Sequence, residues 1–387
     1  THTADHSLDE ERIHVSVDRL ARDRSPRERS AVAMTDRGIR CLSYGLGSIG
    51  RALAVEILAR EGLEWVGAVD VDPSLKGRDA GELLGVGAEL GIEVRSDPEA
   101  ALAELRPDVV LHTTSSYFFE IQPQIEEIVS AGSSIVSSSE ELSFLPLHHR
   151  DAAWALDQLA REKGVVVLGS GVNPGYVMDR LVVDAGRNCT EIAAIRVRRT
   201  VDAARRREPL QRKIGAGLTA EVFRERAASG RFGHAGLQES VALIAHGFGW
   251  KPVEVTETLD PVIADEPVET EFVRVEAGQV AGIDQRAIGF LSGHALIDLR
   301  IRMYVGAENP VDAIAIDGSP SLSVRIAGGI SGDQATVGRL LSSVSEIPFQ
   351  PHGLRTVLGL GAFESVPDPM PIGGAEIGRR GRTGRVH

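Results

Sequence analysis

Apolar positions follow no regular period through the first 36 residues and then settle into alternating short runs and helical stripes. IRCLSY, beginning at Ile39, is a continuous apolar run that predicts a strand. RALAVEILAREG behind it sets Leu53, Ile57 and Leu58 on one helical face. EWVGAVDVD predicts the next strand, ending in Asp70 and Asp72, and further strands are expected at 92–95, 108–114, 133–138 and 165–170. PEAALAEL, IQPQIEEIVSAG and LHHRDAAWALDQLAREKG read as the helices between them. This alternation predicts a parallel sheet with helices on both faces. Nearly continuous apolar strands are expected when both faces are covered.

After Asn173 the period changes. NPGYVMDRLVVDAG predicts a helix with proline near its start. In ALIDLRIRMYV, Ile297, Leu299, Ile301 and Met303 alternate with Asp298, Arg300 and Arg302, and SLSVRIAGG repeats the alternation through Leu322, Val324 and Ile326. One packed face and one wet face predict a largely antiparallel sheet. GDQATVGRLLSSVSEI then returns to a helical stripe. The expected class is α/β, a Rossmann-type parallel sheet domain followed by a second α/β domain built on the antiparallel sheet.

Composition narrows the function. A chain of 387 residues holds two domains and a sizeable core. Its net charge of −13 argues against nucleic acid as a partner. Cys41 and Cys189 make no disulfide framework, and without a Cys/His cluster of zinc spacing no metal is expected. No apolar run approaches the roughly 18 residues of a membrane span, so no membrane partner is expected and the cytoplasm is the expected location. The Gly- and Arg-rich end, GGAEIGRRGRTGRVH, reads as a solvated tail.

GLGSIG supplies the first chemistry. It follows a strand and opens a helix: Gly45 permits the tight turn, Gly47 lets backbone approach a pyrophosphate, and Gly50 allows close packing. The helix N-terminus, with Ser48 and Ile49, offers N–H groups to phosphate. Asp70, at the end of the next strand, is placed to accept hydrogen bonds from the adenosine ribose. Its charge favours NAD over NADP, whereas Lys76 and Arg78 either meet a 2′-phosphate or belong to a solvated loop. NAD is the first expectation and use of both cofactors the second. Thr113, Thr114 and Ser115 follow the fourth strand and are expected along the cofactor's path.

SSSEELS ends the fifth strand on two carboxylates, Glu140 and Glu141. In an open parallel sheet this end faces the ligand crevice. Either one carboxylate reaches the reacting carbon or the pair only begins a helix, where acids favour the dipole. The crevice segments hold no cysteine nucleophile. A carboxylate suits amine chemistry, since it can take a proton from an ammonium and shuttle protons as a carbinolamine collapses.

In order, GLGSIG, SSSEELS, GVNPGYVMD (171–179), RFGHAGLQES (231–240) and GGISGDQAT (328–336) resemble the 2,4-diaminopentanoate dehydrogenase family, which includes native amine dehydrogenases within the dihydrodipicolinate reductase-like group. The resemblance spans about residues 38–363. It implies NAD(P)-linked oxidative deamination of an amine to a ketone, or the reverse with ammonia, in a homodimer. The alternatives are an imine or cyclic C=N reductase of the same architecture and a non-catalytic dinucleotide sensor. By this resemblance Glu140 is the catalytic glutamate, with Glu141 its neighbour, and Asn173 lies near the nicotinamide. Tyr176 and Met178 line the pocket or belong to a helix core, and they favour a compact, apolar substrate. Arg198, Arg199, His234, His294 and Thr336 are weaker carry-overs to the pocket. The expected organisation is a disordered extension over 1–36, a dinucleotide-binding domain over 37–173, a substrate and dimerisation domain over 174–328, a return to the first domain over 329–363, and a tail over 364–387.

Overall fold

The computed structural model describes residues 33–250 and 253–361; nearly all of the expected extension, and the whole of the expected tail, lie outside the described residues. The first sheet contains β1 (Ile39–Tyr44), β2 (Leu63–Val69), β3 (Val94–Arg95), β4 (Val109–His112), β5 (Ser134–Ser137) and β6 (Val166–Gly169). Every neighbouring pair is parallel, in the order 3-2-1-4-5-6. The order reverses between β1 and β4, the switch point at which open α/β sheets bind ligands.

From Ile39 onward the strands are accompanied by the α-helices α1 (Ser48–Leu58), α2 (Ala80–Leu84), α3 (Pro98–Leu105), α4 (Phe118–Ser130), α5 (Arg150–Lys163), α6 (Arg180–Gly186), α7 (Glu208–Lys213), α8 (Ala220–Ala227), α9 (Leu237–Gly247) and α10 (Gly332–Glu346). Leu53 and Ile57 of α1 pack with Leu340 and Val344 of α10 on one face of the first sheet. Leu102 of α3, Ile121 and Ile125 of α4 and Leu156 of α5 cover the other. Their boundaries follow local chemistry: Asp97 caps α3 through the Ala100 N–H with Pro98 in its first turn, and Gly164 ends α5 with a left-handed φ of 71°.

Two expectations change. The strand expected over 92–95 shortens to β3 at the sheet edge. The helix expected from Asn173 begins only at Arg180, because Gly175 adopts a φ of 127° and the Asp179 carboxylate takes the N–H groups of Gly175 and Arg180.

The second sheet is formed by β7 (Glu191–Asp202), β8 (Val253–Ile263), β11 (Val280–Leu291), β12 (His294–Tyr304), β13 (Val311–Ser319) and β14 (Leu322–Ala327), with β9 (Val268–Glu269) and β10 (Arg274–Val275) paired apart. Its order is 14-13-7-12-11-8, antiparallel except where β7 meets β12. Ile297, Leu299, Ile301 and Met303 are buried as the alternation predicts. On the opposite face Asp298 accepts from Arg198 and Arg286, and Asp284 from Arg300. The chain returns through α10, and β15 (Gly353–Arg355) pairs parallel with β6. No helix among the described residues is long and apolar enough to cross a membrane.

Candidate active site

The Gly-rich turn after β1 is tight for a visible reason. Gly45 has a φ of 96°, and a Cβ there would lie 2.8 Å from the carbonyl oxygen of Thr113. A Cβ on Gly50 would lie 2.0 Å from the carbonyl oxygen of Gly45. Gly47 differs: its φ of −63° suits any residue, and an added Cβ would meet nothing within 4 Å. No side chain caps α1 there and its first turn holds no acid, so its N-terminal N–H groups open onto free space. That geometry fits the pyrophosphate of a dinucleotide.

Asp70 holds the turn in place. Its carboxylate accepts from the Leu46 N–H at 2.6 Å and the Asp72 N–H at 2.9 Å. A cleft of about 380 Å³ runs from Gly47, Ser48 and Ile49 past Thr113, Thr114 and Ser115 to Glu140 and Asn173. Thr113 donates to the Gly45 carbonyl at 3.0 Å, and Thr114 to the Gln124 side chain at 2.9 Å. Lys76 and Arg78 stay outside this cleft. Arg78 pairs with Glu82 at 2.6 Å one helical turn away, and Lys76 borders a separate hollow beside β3.

At the end of β5 the two glutamates part. Glu140 lines the cofactor cleft and also a second cavity of about 270 Å³. Burial pushes its carboxyl above the usual range, opposed by Lys213 and by a hydrogen bond with Ser116. Glu141 turns away from both cavities. Its Oε2 accepts from the Phe118 N–H at 2.6 Å, at the start of α4, and lies 3.3 Å from Nε2 of His149.

The second cavity shares Glu140, Val172, Asn173, Arg207 and Thr336 with the cofactor cleft. Val201, Ile301 and Met303 of the second sheet form its apolar wall with Leu210 and Ile214, while Arg199, Arg206 and Lys213 add positive charge. Asn173 donates from Nδ2 to Nε2 of His234 at 2.8 Å, and the His234 N–H donates to Gln285 at 2.9 Å. Burial, reinforced by Lys213 and Arg199, lowers His234 to about 3, so its ring is neutral. The loop that carries His234 seats closely: a Cβ on Gly236 would lie 2.9 Å from Cβ of Glu140.

Arg199 reaches the cavity already committed. It donates to Asp312 at 2.7 Å and to the Ile330 carbonyl at 2.7 Å, in a buried pair. Arg198, one position along β7, faces the opposite side of the sheet and binds Asp298. Met178 is fully buried in the second core, and Tyr176 lies beneath the Arg339 guanidinium, 4.9 Å from its ring centre. Neither residue lines the cavity, because the turn that ends at Asp179 folds both into packing. His294 lies exposed at the start of β12. Arg206, Arg207 and Lys213 were missed in the sequence, although the basic run ARRREPLQRK carried a signal.

Comparisons with known proteins bear on the family and the fold. Residues 176–371 match the model of the 2,4-diaminopentanoate dehydrogenase C-terminal domain, and residues 39–137 match that of the dihydrodipicolinate reductase N-terminus. The chain is 28% identical over 337 residues to the 2,4-diaminopentanoate dehydrogenase of Acetoanaerobium sticklandii, covering 83% of this chain and 93% of the relative. It is 25% identical to an amine dehydrogenase of Streptomyces virginiae, covering 82% of this chain and 94% of that one. Its fold superimposes on the amine dehydrogenase of Mycobacterium smegmatis with a TM-score of 0.75 at 22% identity, over 84% of this chain and 96% of the other.

Proposed function

Because this chain belongs to the 2,4-diaminopentanoate dehydrogenase family, we propose that it is an NAD(P)-dependent amine dehydrogenase, deaminating an amine to a ketone and, in reverse, aminating a ketone with ammonia. The observation that carries the reading is the position of Glu140, a half-buried carboxyl in the wall common to the cofactor cleft and the second cavity. Residues 37–173 form the cofactor domain in this reading. Residues 174–328 form the substrate and dimer domain, and 329–363 return to the first; the homodimer comes from the family likeness alone.

The Gly-rich turn and α1 hold the pyrophosphate, Asp70 the ribose, and Thr113, Thr114 and Ser115 the path toward the nicotinamide. When bound, the cofactor supplies the hydride acceptor. Glu140 takes a proton from the substrate ammonium, so that loss of hydride leaves an iminium. Glu140 passes that proton to solvent, water adds to the iminium carbon, and Glu140 then carries a proton from oxygen to nitrogen as the carbinolamine collapses to ketone and ammonium. A raised pKa suits this exchange with an amine. Asn173, anchored by its bond to His234, orients the ring end of the site.

The substrate's aliphatic part lies against Val201, Ile301 and Met303, and Lys213 offers a partner for a carboxylate. This replaces the apolar pocket expected from Tyr176 and Met178. NAD is the favoured cofactor: the Asp70 carboxylate sits just past β2, where it would repel a 2′-phosphate, while Arg78 is paired with Glu82 and Lys76 borders a separate hollow. A panel of amines and amino acids, assayed with NAD and with NADP by reduced-cofactor absorbance, tests the reading. Turnover with NAD supports it, and turnover with none of the panel overturns it.

A further inference from the structure

We propose that Arg207, supplied by the second domain, is a ligand to the pyrophosphate of the bound dinucleotide, an inference that rests on the dinucleotide reading above. The turn GLGSIG carries no positive side chain. Arg51, directly behind it, donates from Nε to the Leu46 carbonyl at 2.8 Å and is not among the residues lining the cofactor cleft, so within that cleft the helix dipole would meet two phosphate charges without a cation from the first domain. Arg207 stands immediately before α7, yet its guanidinium crosses to the first domain: Nη1 donates to the hydroxyl of Ser48, the first residue of α1. Its other edge is held by Asp333 at the start of α10, with Nε donating to Oδ2 at 3.1 Å and Nη2 to Oδ1 at 3.4 Å. Arg206 donates to the same carboxylate at 2.7 Å.

A guanidinium has five N–H groups in a rigid fork. Three are used by these bonds, leaving two among the described contacts for an anion. The side chain is 41% exposed and lines the cofactor cleft with Gly47 and Ser48. A phosphate beside Gly47 would thus meet helix N–H groups on one side and a tethered guanidinium on the other. Such a charge-assisted contact is short and directional. Arg207 also borders the substrate cavity, but its bond to Ser48 sets it at the head of α1, while Lys213 serves the cavity. The same segment delivers Leu210 and Lys213 to that cavity, so a dinucleotide held by Arg207 would steady one wall of the substrate site before the amine arrives.

The test is direct binding. Wild type, Arg207→Ala and Arg207→Lys are titrated calorimetrically with NADH, with ADP-ribose, which keeps the pyrophosphate, and with adenosine, which lacks it. Arg207→Ala should weaken NADH and ADP-ribose by about 10-fold or more and leave adenosine unchanged, with Arg207→Lys intermediate. Hydrogen exchange on the wild type covers the case of a variant that fails to fold: ADP-ribose should slow exchange across 203–213. ADP-ribose affinity within about two-fold of wild type in Arg207→Ala overturns the proposal. So does unchanged exchange, or a loss confined to the KM of the amine. A wild-type protein that binds no dinucleotide overturns the cofactor reading as well.

Discussion

Asn173 donates a hydrogen bond to Nε2 of His234 at 2.8 Å, joining the segment after β6 to the loop before α9 at the point where the two cavities meet. The bond makes Nε2 an acceptor and places the ring proton on Nδ1. Asn173→Ala leaves that buried acceptor unmet, at a cost of about 1–3 kcal/mol. The urea midpoint should fall accordingly, and kcat should drop while NADH affinity changes little. A variant with wild-type midpoint and kcat would show the bond to be incidental.

Buried ring and carboxyl groups set the pH dependence of stability. Burial lowers His234 to about 3 and His112 to about 4, from 6.5. Below 6.5 the unfolded chain binds protons that the folded chain refuses, so this contribution is complete above 6.5 and is lost as the pH falls. Glu239 runs the other way: burial raises it to about 8 from 4.5, so its contribution is complete below 4.5 and is lost as the pH rises through 8. Glu239→Gln should therefore raise the urea midpoint more at pH about 9 than at pH about 4. Equal changes at both would remove Glu239 from the balance.

Arg199 and Asp312 form a pair that is buried on both sides. Removing one partner strands a charge, and Arg199→Ala should cost about 3–5 kcal/mol. Replacing both with apolar residues of similar volume should cost less than either single change. Denaturant unfolding of the four proteins of the cycle checks this. Full stability in Arg199→Ala would show that the pair contributes nothing to the fold.

Gly47→Val separates binding from folding. The new side chain meets no protein atom at its Cβ, and the φ of −63° accommodates it. Thermal stability should stay near that of wild type while affinity for NADH collapses. Unchanged affinity would reduce GLGSIG to a turn. Asp70→Ala should shift preference toward NADP, with some loss of stability because the Leu46 and Asp72 N–H groups lose their acceptor.

The parts of the molecule that could be read from sequence are those fixed by near neighbours. The strand–turn–helix around GLGSIG, the helix read from PEAALAEL, and the alternation from Ile297 to Met303 are local patterns. The inward side of β7 was half legible: Val197 and Arg199 share a face by period two, but only the register against β13, which sets Arg199 opposite Asp312, says which side is buried. Tyr176 and Met178 were left between pocket and core because the fate of the turn depends on what the Asp179 carboxylate binds. The basic run containing Arg207 was visible, but where its guanidinium lands was not, because its partner Ser48 is 159 residues away. Glu140 and Glu141 were legible as a pair; their opposite directions depend on α4 beginning beside Glu141.

The central claim is that Glu140 moves the protons of amine chemistry, and paired kinetics of Glu140→Gln and Glu141→Gln test it most directly. Glutamine keeps the shape and removes the acid–base function. Glu140→Gln should lower kcat for deamination by about 10² to 10⁴ with the Kd for NADH nearly unchanged. Glu141→Gln, whose carbonyl can still accept from Phe118, should lose only a few-fold. A Glu140→Gln enzyme that keeps kcat within a few-fold of wild type, or a larger loss in Glu141→Gln, would contradict the account.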